Sequence, residues 1–382
     1  MGCAETHGPF PASRGSGASR HASIAQLFRT NYLPTWLRVP LAVVQQTPGC
    51  GSRLAIYAHG SLTCIVHVCV CVCVSLSPSS PLSLCTVSPA TSNRSPGSWP
   101  SFLRTRLPSL YSIVPGPASQ VYKARVLIPT TGLVTARDIC AAEDLRLVAQ
   151  PAAGYNNIDV EAAKARGVPV TIAPGYNSRS VAEVTLMMIL MLSRKVDEAR
   201  AVFERRERIG EPVGQELHGK TLGIVGMGRV GKCLAAAAQG LGMKVMGVTS
   251  RSTRPELEQL LRSSHVVSLH CPLTPSTRGL IGPAELELMR KDAILINAAR
   301  GSVVQREALW AAVQARRLGG VGLDTHWVEP APRDDPLYSH PAVLALPHLG
   351  SISAEVYDRF AEVLAENIVR VREGRELLHR LC

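Results

Sequence analysis

Residues 220–248, KTLGIVGMGRVGKCLAAAAQGLGMKVMGV, hold the pattern on which the rest of the chain depends. Thr221 to Val225 is a short apolar run that stops at Gly226, and Gly226-Met227-Gly228-Arg229-Val230-Gly231 then opens an alanine-rich segment of helical character. A second apolar run, Met243 to Val248, follows at once. Strand, glycine turn, helix and strand in this order are what a dinucleotide-binding βαβ unit requires. Gly226 permits the sharp turn, Gly228 leaves no Cβ between the backbone and a pyrophosphate, and Gly231 lets the helix pack close to the strand. The helix start, with Arg229 and Val230, then offers N–H groups and a positive dipole end to the phosphates. A GxGxxG alone describes an ordinary glycine-tightened βα corner equally well, and it is the flanking strands that favour the nucleotide.

The end of the second strand in such a unit usually carries an Asp or Glu for the ribose 2′-hydroxyl. Here Thr249-Ser250-Arg251-Ser252 occupies that place, with Arg254 close behind and no carboxylate before Glu256. A missing acid beside the Arg251 guanidinium and the Ser250 hydroxyl suits a 2′-phosphate, so NADP(H) is expected over NAD(H). The competing reading of Arg251 is a solvated loop residue.

The chain has 382 residues, 46% of them hydrophobic, and a formal net charge of +12. That is room for two domains with their own cores. The charge is uneven: residues 1–120 hold eight Arg, no Lys and the single acid Glu5. A basic balance concentrated there is poor support for a nucleic-acid partner, and none is expected. Seven of the eleven cysteines lie before residue 86, and Cys140, Cys233, Cys271 and Cys382 show no metal-ligand spacing. They read as reduced thiols, with no metal site implied.

Residues 1–120 are rich in Ser, Pro, Arg and Gly and lack sustained periodicity, so a low-complexity, disordered or targeting segment is expected. Val68-Cys-Val-Cys-Val-Cys-Val74 matches translated dinucleotide-repeat DNA, and as a strand it would put Cys69, Cys71 and Cys73 on one face. The acid-poor, Arg- and Ser-rich composition is that of an organellar transit peptide, which leaves plastid or mitochondrion open beside a cytoplasmic location. Leu54 to Leu76 is long enough to span a bilayer but holds two His and a Gly-Ser, and Met1-Gly2-Cys3 fits a loose myristoylation pattern. No membrane partner is expected.

From residue 121 the texture becomes α/β. ARVLIP (124–129), LRLVAQ (145–150) and Val168 to Ile172 read as strands, and Pro151 to Asp159 as a turn-rich loop. Ser180-Val-Ala-Glu183 has the form of a capping box ahead of a long apolar helix. Beyond the glycine unit, HVVSLH (265–270), AILINAA (293–299), GVGLD (320–324) and VLALP (343–347) read as further strands, and Ser353 to Arg372 as an amphipathic last helix.

Just past the carboxyl ends of the later strands stand Arg300, then Asp324 and Glu329, then His348. In an open α/β sheet those ends form the ligand crevice, on the same side as the Gly226 turn. Arg300 has the forked donors to clamp a carboxylate and polarise a neighbouring carbonyl. A protonated His348 can donate to the carbonyl oxygen, and Glu329 beside it would orient the ring and stabilise its charged form. This set suits reduction of a small 2-oxoacid with hydride from a nicotinamide. Trp327, near Glu329, could wall a small substrate pocket.

These segments together resemble the D-isomer-specific 2-hydroxyacid dehydrogenase family, which includes glyoxylate and hydroxypyruvate reductases, phosphoglycerate dehydrogenase and D-lactate dehydrogenase. The similar stretches are AAGYNNIDVEAAKARGVPV, GKTLGIVGMGRVG, HCPLTPSTRGLI, INAARG, VGLDTHWVEP and PHLGS, spread over residues 121–382. The resemblance implies a Rossmann-type doubly wound parallel sheet (180–349) inserted in a smaller flavodoxin-like substrate domain (121–179 with 350–382). It implies Arg300, Glu329 and His348 as the catalytic set. Ala153 and Gly154 would bind the substrate carboxylate with Arg300 and His348. Cys271, Pro272, Thr277, Ala298, Arg300, Asp324, His348 and Gly350 would join the glycine loop around the cofactor, Asp324 meeting the nicotinamide amide. A homodimer is implied as well. The sequence departs from the family at two places: no βα structure is legible before ARVLIP, and the twenty or so residues between Thr249 and His270 are too few for the usual extra helix and edge strand. Alternative readings are a nucleotide-sensing, corepressor-like binding protein of the same fold and a phosphoglycerate dehydrogenase-type enzyme.

Overall fold

The structure is a computed structural model. It describes residues 70–71, 82–87, 111–113, 116–117, 124–129, 132–207 and 210–382. All of these lie in one compact unit, Cys64–Cys382. The myristoylation pattern at Met1, most of the Leu54 to Leu76 stretch and of the Val-Cys strip, and most of residues 1–120, on whose composition the transit-peptide reading rests, lie outside the described residues.

Strands β1 (Val70–Cys71) and β4 (Gly116–Pro117) form a small antiparallel ladder. Two further strands, β2 (Leu82–Val87) and β3 (Tyr111–Ile113), join β5 (Val126–Pro129), β6 (Leu147–Ala149) and β7 (Val170–Thr171) in a five-stranded sheet ordered β3-β2-β5-β6-β7. Every neighbouring pair in it is parallel. The reading that nothing before ARVLIP supplies a strand is therefore corrected by β2 and β3. The LSLCTV run of β2 is apolar and β-branched enough to extend beside β5, but six residues between Pro- and Ser-rich flanks give too little periodicity to stand out.

This sheet carries helices α1 (Ala136–Ala141) and α2 (Val160–Ala165), and its core joins Leu127, Ile139, Leu147, Val148 and Val170 to Ala361, Leu364 and Ile368 of the last helix. The chain end then lies along β7, with Leu381 N–H donating to Val170 O at 2.7 Å.

The larger sheet has six parallel strands: β8 (Thr221–Val225), β9 (Lys244–Val248), β10 (Val266–Leu269), β11 (Ile294–Asn297), β12 (Gly320–Leu323) and β13 (Val343–Ala345). Their order is β13-β12-β11-β10-β8-β9. Successive side chains of a strand face opposite ways, and the two cores follow. Leu222, Ile224, Ile294 and Ile296 meet Met188 and Ile189 of α3 (Ser178–Ser193) and Leu234 and Ala238 of α5 (Arg229–Gly240). On the other face Val225, Val267, Leu295 and Val321 meet Leu257, Leu260 and Leu261 of α6 (Arg254–Ser263) and Leu309 and Val313 of α8 (Arg306–Gln314). The sheet is doubly wound.

A short helix α4 (Val196–Glu204) follows α3, and α7 (Pro283–Leu288) and α9 (Ala354–Glu373) complete the set. Between β9 and β10 only α6 intervenes, so β9 is left as the edge of the sheet, with Lys244 exposed. An edge lysine is one of the devices that discourage strand addition.

One expected helix start is corrected. Ser180 and Glu183 do not form a capping box, because α3 begins two residues earlier, at Ser178, with Asn177 as its N-cap. Asn177 does not cap with its side chain; its Nδ2 donates to Ser351 Oγ at 2.7 Å and ties the helix to the segment after His348.

Candidate active site

Register fixes where the functional side chains emerge. Val225 pairs with Leu269, Leu269 with Asn297, Asn297 with Leu323 and Leu323 with Ala345, so five strands end on one line. The residues that follow them are Gly226, Cys271, Ala298 to Arg300, Asp324 to Glu329 and Leu346 to Gly350. Since β8 leads outward to β9 and the chain then returns to β10 on the other side, the crevice of the topological switch opens between β8 and β10.

Gly226 sits in that crevice with φ of 105°, a conformation that side chains resist. A Cβ there would lie 2.5 Å from Cys271 N and 2.6 Å from the His270 carbonyl carbon. At Gly231 a Cβ would lie 2.6 Å from Gly226 O, while at Gly228 it would meet nothing within 4 Å. Gly226 and Gly231 are therefore needed for close packing and Gly228 for open space, which is the division of labour a phosphate cradle needs. Gly228 begins α5 without a side-chain cap, so the first-turn N–H groups at Arg229, Val230 and Gly231 are open to an anion. The residues present fit the pyrophosphate of a dinucleotide. Gly226→Ala is expected to cost about 1–3 kcal/mol of stability from backbone strain and to weaken nucleotide binding; thermal unfolding and a nucleotide titration check both.

Around this turn Thr277 Oγ1 donates to Pro272 O at 2.6 Å and accepts from Thr274 N–H at 2.8 Å, which folds the Cys271–Thr277 loop over the strand end. Burial pushes the Cys271 thiol up, so it stays protonated. At the far end of the crevice, past β9, Ser250 and Arg251 are exposed. Arg251 N–H is held by Thr249 Oγ1 at 3.2 Å, in a turn also closed by Thr249 N–H donating to Ser252 Oγ.

Arg254 does not join them. It pairs with Glu258 at 3.0 Å and, more closely, with Glu285, so its fork is already spent. Glu256, the first acid after β9, is committed too: its carboxylate accepts from the backbone and side chain of Thr253 as the capping box of α6, which holds it below the usual carboxylate range.

Arg300 follows β11. Nη1 donates to Ala299 O at 2.7 Å, and the guanidinium lies so close to Gly154 that a Cβ on that residue would be 1.8 Å from Nη2. The Ala153-Gly154 loop and Arg300 thus meet directly across the two sheets. Burial lowers the Arg300 pKa, opposed by the charge of Glu329. Among the described residues Arg300 makes no ion pair. The fork thus has only a backbone acceptor among the described residues, with the Glu329 charge offsetting part of its desolvation.

His348 and Glu329 are joined by a 2.9 Å bond from Nδ1 to Oε2, with about a third of each side chain exposed. The other oxygen of Glu329 accepts from His326 N–H at 3.0 Å. Burial pushes the Glu329 carboxyl up, but the bond to His348, its charge and the His326 N–H outweigh this, and the carboxyl is held below its ordinary range. Glu329 is therefore an anion beside the ring, leaving Nε2 as the free nitrogen.

Asp324 is 1% exposed and both its oxygens are taken, by Leu349 N–H at 2.7 Å and Gly350 N–H at 2.9 Å. It anchors the turn that presents His348, whose φ is 57°. Gly350 is small for a reason, since a Cβ would lie 2.9 Å from Asp324 Oδ2. Burial raises the Asp324 pKa, and the two N–H donors oppose it.

Trp327 is held by the core of the larger sheet. Its indole N–H donates to Val304 O at 2.8 Å and its ring packs on the core that contains Val303, Val304 and Leu337. Gly301 lets this happen: a Cβ there would be 2.5 Å from Trp327 N, so the Arg300 and Glu329 loops touch backbone to backbone.

Asn297 was missed. Fully buried at the end of β11, it donates to Arg300 O at 2.9 Å and accepts from Ala299 N–H at 3.1 Å, which pins the loop that aims Arg300. The signal was a lone amide inside the apolar AILINAA, since a buried polar side chain needs partners.

A family model described as the NAD binding domain of D-isomer specific 2-hydroxyacid dehydrogenase matches residues 186–350. A glyoxylate reductase of Korarchaeum cryptofilum is 40% identical over 249 residues, covering 61% of this chain and 75% of that one. A D-3-phosphoglycerate dehydrogenase of Methanocaldococcus jannaschii is 35% identical over 268 residues, covering 67% of this chain and 51% of that one. The solved structure of the TT0316 protein from Thermus thermophilus superposes with a TM-score of 0.65 at 38% identity, over 69% of this chain and 88% of that chain. With its nicotinamide-nucleotide fold and this match to a relative's greater part, the chain belongs to the D-isomer-specific 2-hydroxyacid dehydrogenase family and is an oxidoreductase.

Proposed function

We propose that this protein reduces a small 2-oxoacid of the glyoxylate or hydroxypyruvate type to the D-2-hydroxyacid, with NADP(H) preferred to NAD(H). What carries the reading is Arg300, with no ion pair among the described residues, packed on Gly154 beside an intact Glu329–His348 pair at the ends of adjacent strands. The substrate carboxylate is the anion Arg300 lacks, held with the amides of the Ala153-Gly154 loop. The same fork draws electron density from the carbonyl. A bound nicotinamide supplies the hydride. His348 gives the proton to the carbonyl oxygen from Nε2, and Glu329 keeps the ring oriented through Nδ1.

Glyoxylate reductases among the relatives support a small substrate, and the intact set of three speaks against a pure binding protein. A panel of 2-oxoacids, phosphorylated ones included, assayed by oxidation of NADPH and NADH tests this. Turnover of small unphosphorylated acids is expected, and no turnover of any member would end the reading.

For the cofactor, Arg251 and Ser250 are the groups placed for a 2′-phosphate, since Arg254 and Glu256 are otherwise engaged. Arg251→Ala is expected to weaken NADPH about tenfold, with NADH little changed; calorimetric titration of both nucleotides decides it, and equal affinities in the parent protein would remove the preference. A homodimer is the expected assembly, because Met187, Leu190, Phe203 and Val213 leave apolar surface exposed on and after α3.

A further inference from the structure

Gln150 closes β6 and is 3% exposed, yet no step above uses it. Its Nε2 donates to Gly154 O at 2.6 Å and to Asn157 Oδ1 at 3.1 Å. Asn157 in turn donates from Nδ2 to Gly132 O at 2.9 Å, and its own carbonyl accepts from Val134 N–H. The orientation of the amide is chemically forced, because both groups facing its nitrogen are oxygens and cannot be served by Oε1. Oε1 itself is buried and has no hydrogen-bond partner among the described residues.

An apolar residue of the same length would leave Gly154 O and Asn157 Oδ1 without this donor, so the amide fixes those two oxygens in place. Gln150 thereby holds the carbonyl of Gly154, and the Arg300 guanidinium lies where a side chain of that same residue would start. We propose that Gln150 is a positioning residue for the 2-oxoacid: by fixing the Gly154 carbonyl it holds the Ala153-Gly154 loop against Arg300, so that loop amides and guanidinium meet one carboxylate. This rests on the substrate reading given above and goes beyond it in assigning a residue that acts through Gly154 and never touches the substrate.

Two variants and two readouts test it, in full-length protein loaded with NADPH. Gln150→Leu removes both donated bonds and is expected to raise KM for the oxoacid about tenfold, the scale of the one bond that fixes Gly154, with KM for NADPH unchanged. Binding of oxamate, measured by calorimetry, should weaken by the same factor. Gln150→Glu puts an acceptor-only carboxylate against two oxygens, and only its protonated form can donate. Its oxoacid KM, relative to the parent at each pH, should therefore fall towards one as the pH is lowered. Parental KM in Gln150→Leu, a parallel rise in KM for both substrates, or a pH-independent ratio in Gln150→Glu would each overturn the assignment of Gln150 alone. A parent protein that neither turns over nor binds any 2-oxoacid would overturn the substrate reading together with it.

Discussion

His348→Gln is expected to lower kcat for oxoacid reduction by about 10²–10⁴-fold, the usual contribution of a positioned general acid, while reduced nucleotide still binds. Glutamine keeps a donor near the same place but cannot deliver a proton, so the loss separates proton transfer from packing. The bond from Nδ1 to Glu329 at 2.9 Å leaves Nε2 as the donor, and removing the ring strands the Glu329 carboxylate without its partner. Glu329→Gln should lose less, because its amide oxygen can still accept from the ring, while the charge and the acceptor for His326 N–H are lost. The Glu329 carboxyl is held low in the folded state, so the stability it lends is present above the unfolded carboxylate pKa. That stability is lost as pH falls through the lowered value. Stopped-flow hydride transfer together with a nucleotide titration checks these effects; a variant of His348 with parental kcat would remove the histidine from the chemistry.

Arg300→Lys is expected to cost about 10²–10³-fold in kcat/KM, the scale for losing a preorganised donor at a developing charge. Lysine preserves the charge but offers no fork, so carboxylate and carbonyl cannot both be met. The substitution also empties the space against Gly154 that the guanidinium fills. Asn297, bonded to Arg300 O and Ala299 N, holds the loop in place whichever residue stands there. The fold should therefore survive, and near-parental thermal unfolding is the control. Steady-state kinetics with glyoxylate and with a longer 2-oxoacid measures the loss, and a similar loss for both would tie Arg300 to the shared carboxylate.

Much of this site was legible because it depends on strand ends. Gly226, Arg300, Asp324 and His348 each follow an apolar run whose end can be read by eye, and a parallel sheet brings such ends to one edge. The parts that were not legible depend on contacts across the chain. Arg254 looked as available as Arg251 until Glu285, from a distant helix, was seen to hold it. Trp327 drew notice through its functional neighbour Glu329, while the bond from its N–H to Val304 O shows only in the fold. Ser180 and Glu183 had the right spacing for a cap, but α3 starts at Ser178 and both residues lie inside it. β2 is a six-residue strand made recognisable by its pairing with β3 and β5. Gln150 gave no signal at all, since its importance lies in a carbonyl four residues away.

The central claim is that Arg300, Glu329 and His348 act on one small acid held over a nicotinamide. A crystal structure of the protein with NADPH and oxamate tests it most directly. The account predicts the oxamate carboxylate in the Arg300 fork against Gly154, His348 Nε2 within hydrogen-bonding distance of the oxamate carbonyl oxygen, and that carbonyl carbon facing the nicotinamide ring. Oxamate bound away from Arg300, or His348 turned from the ring with its bond to Glu329 broken, would contradict it.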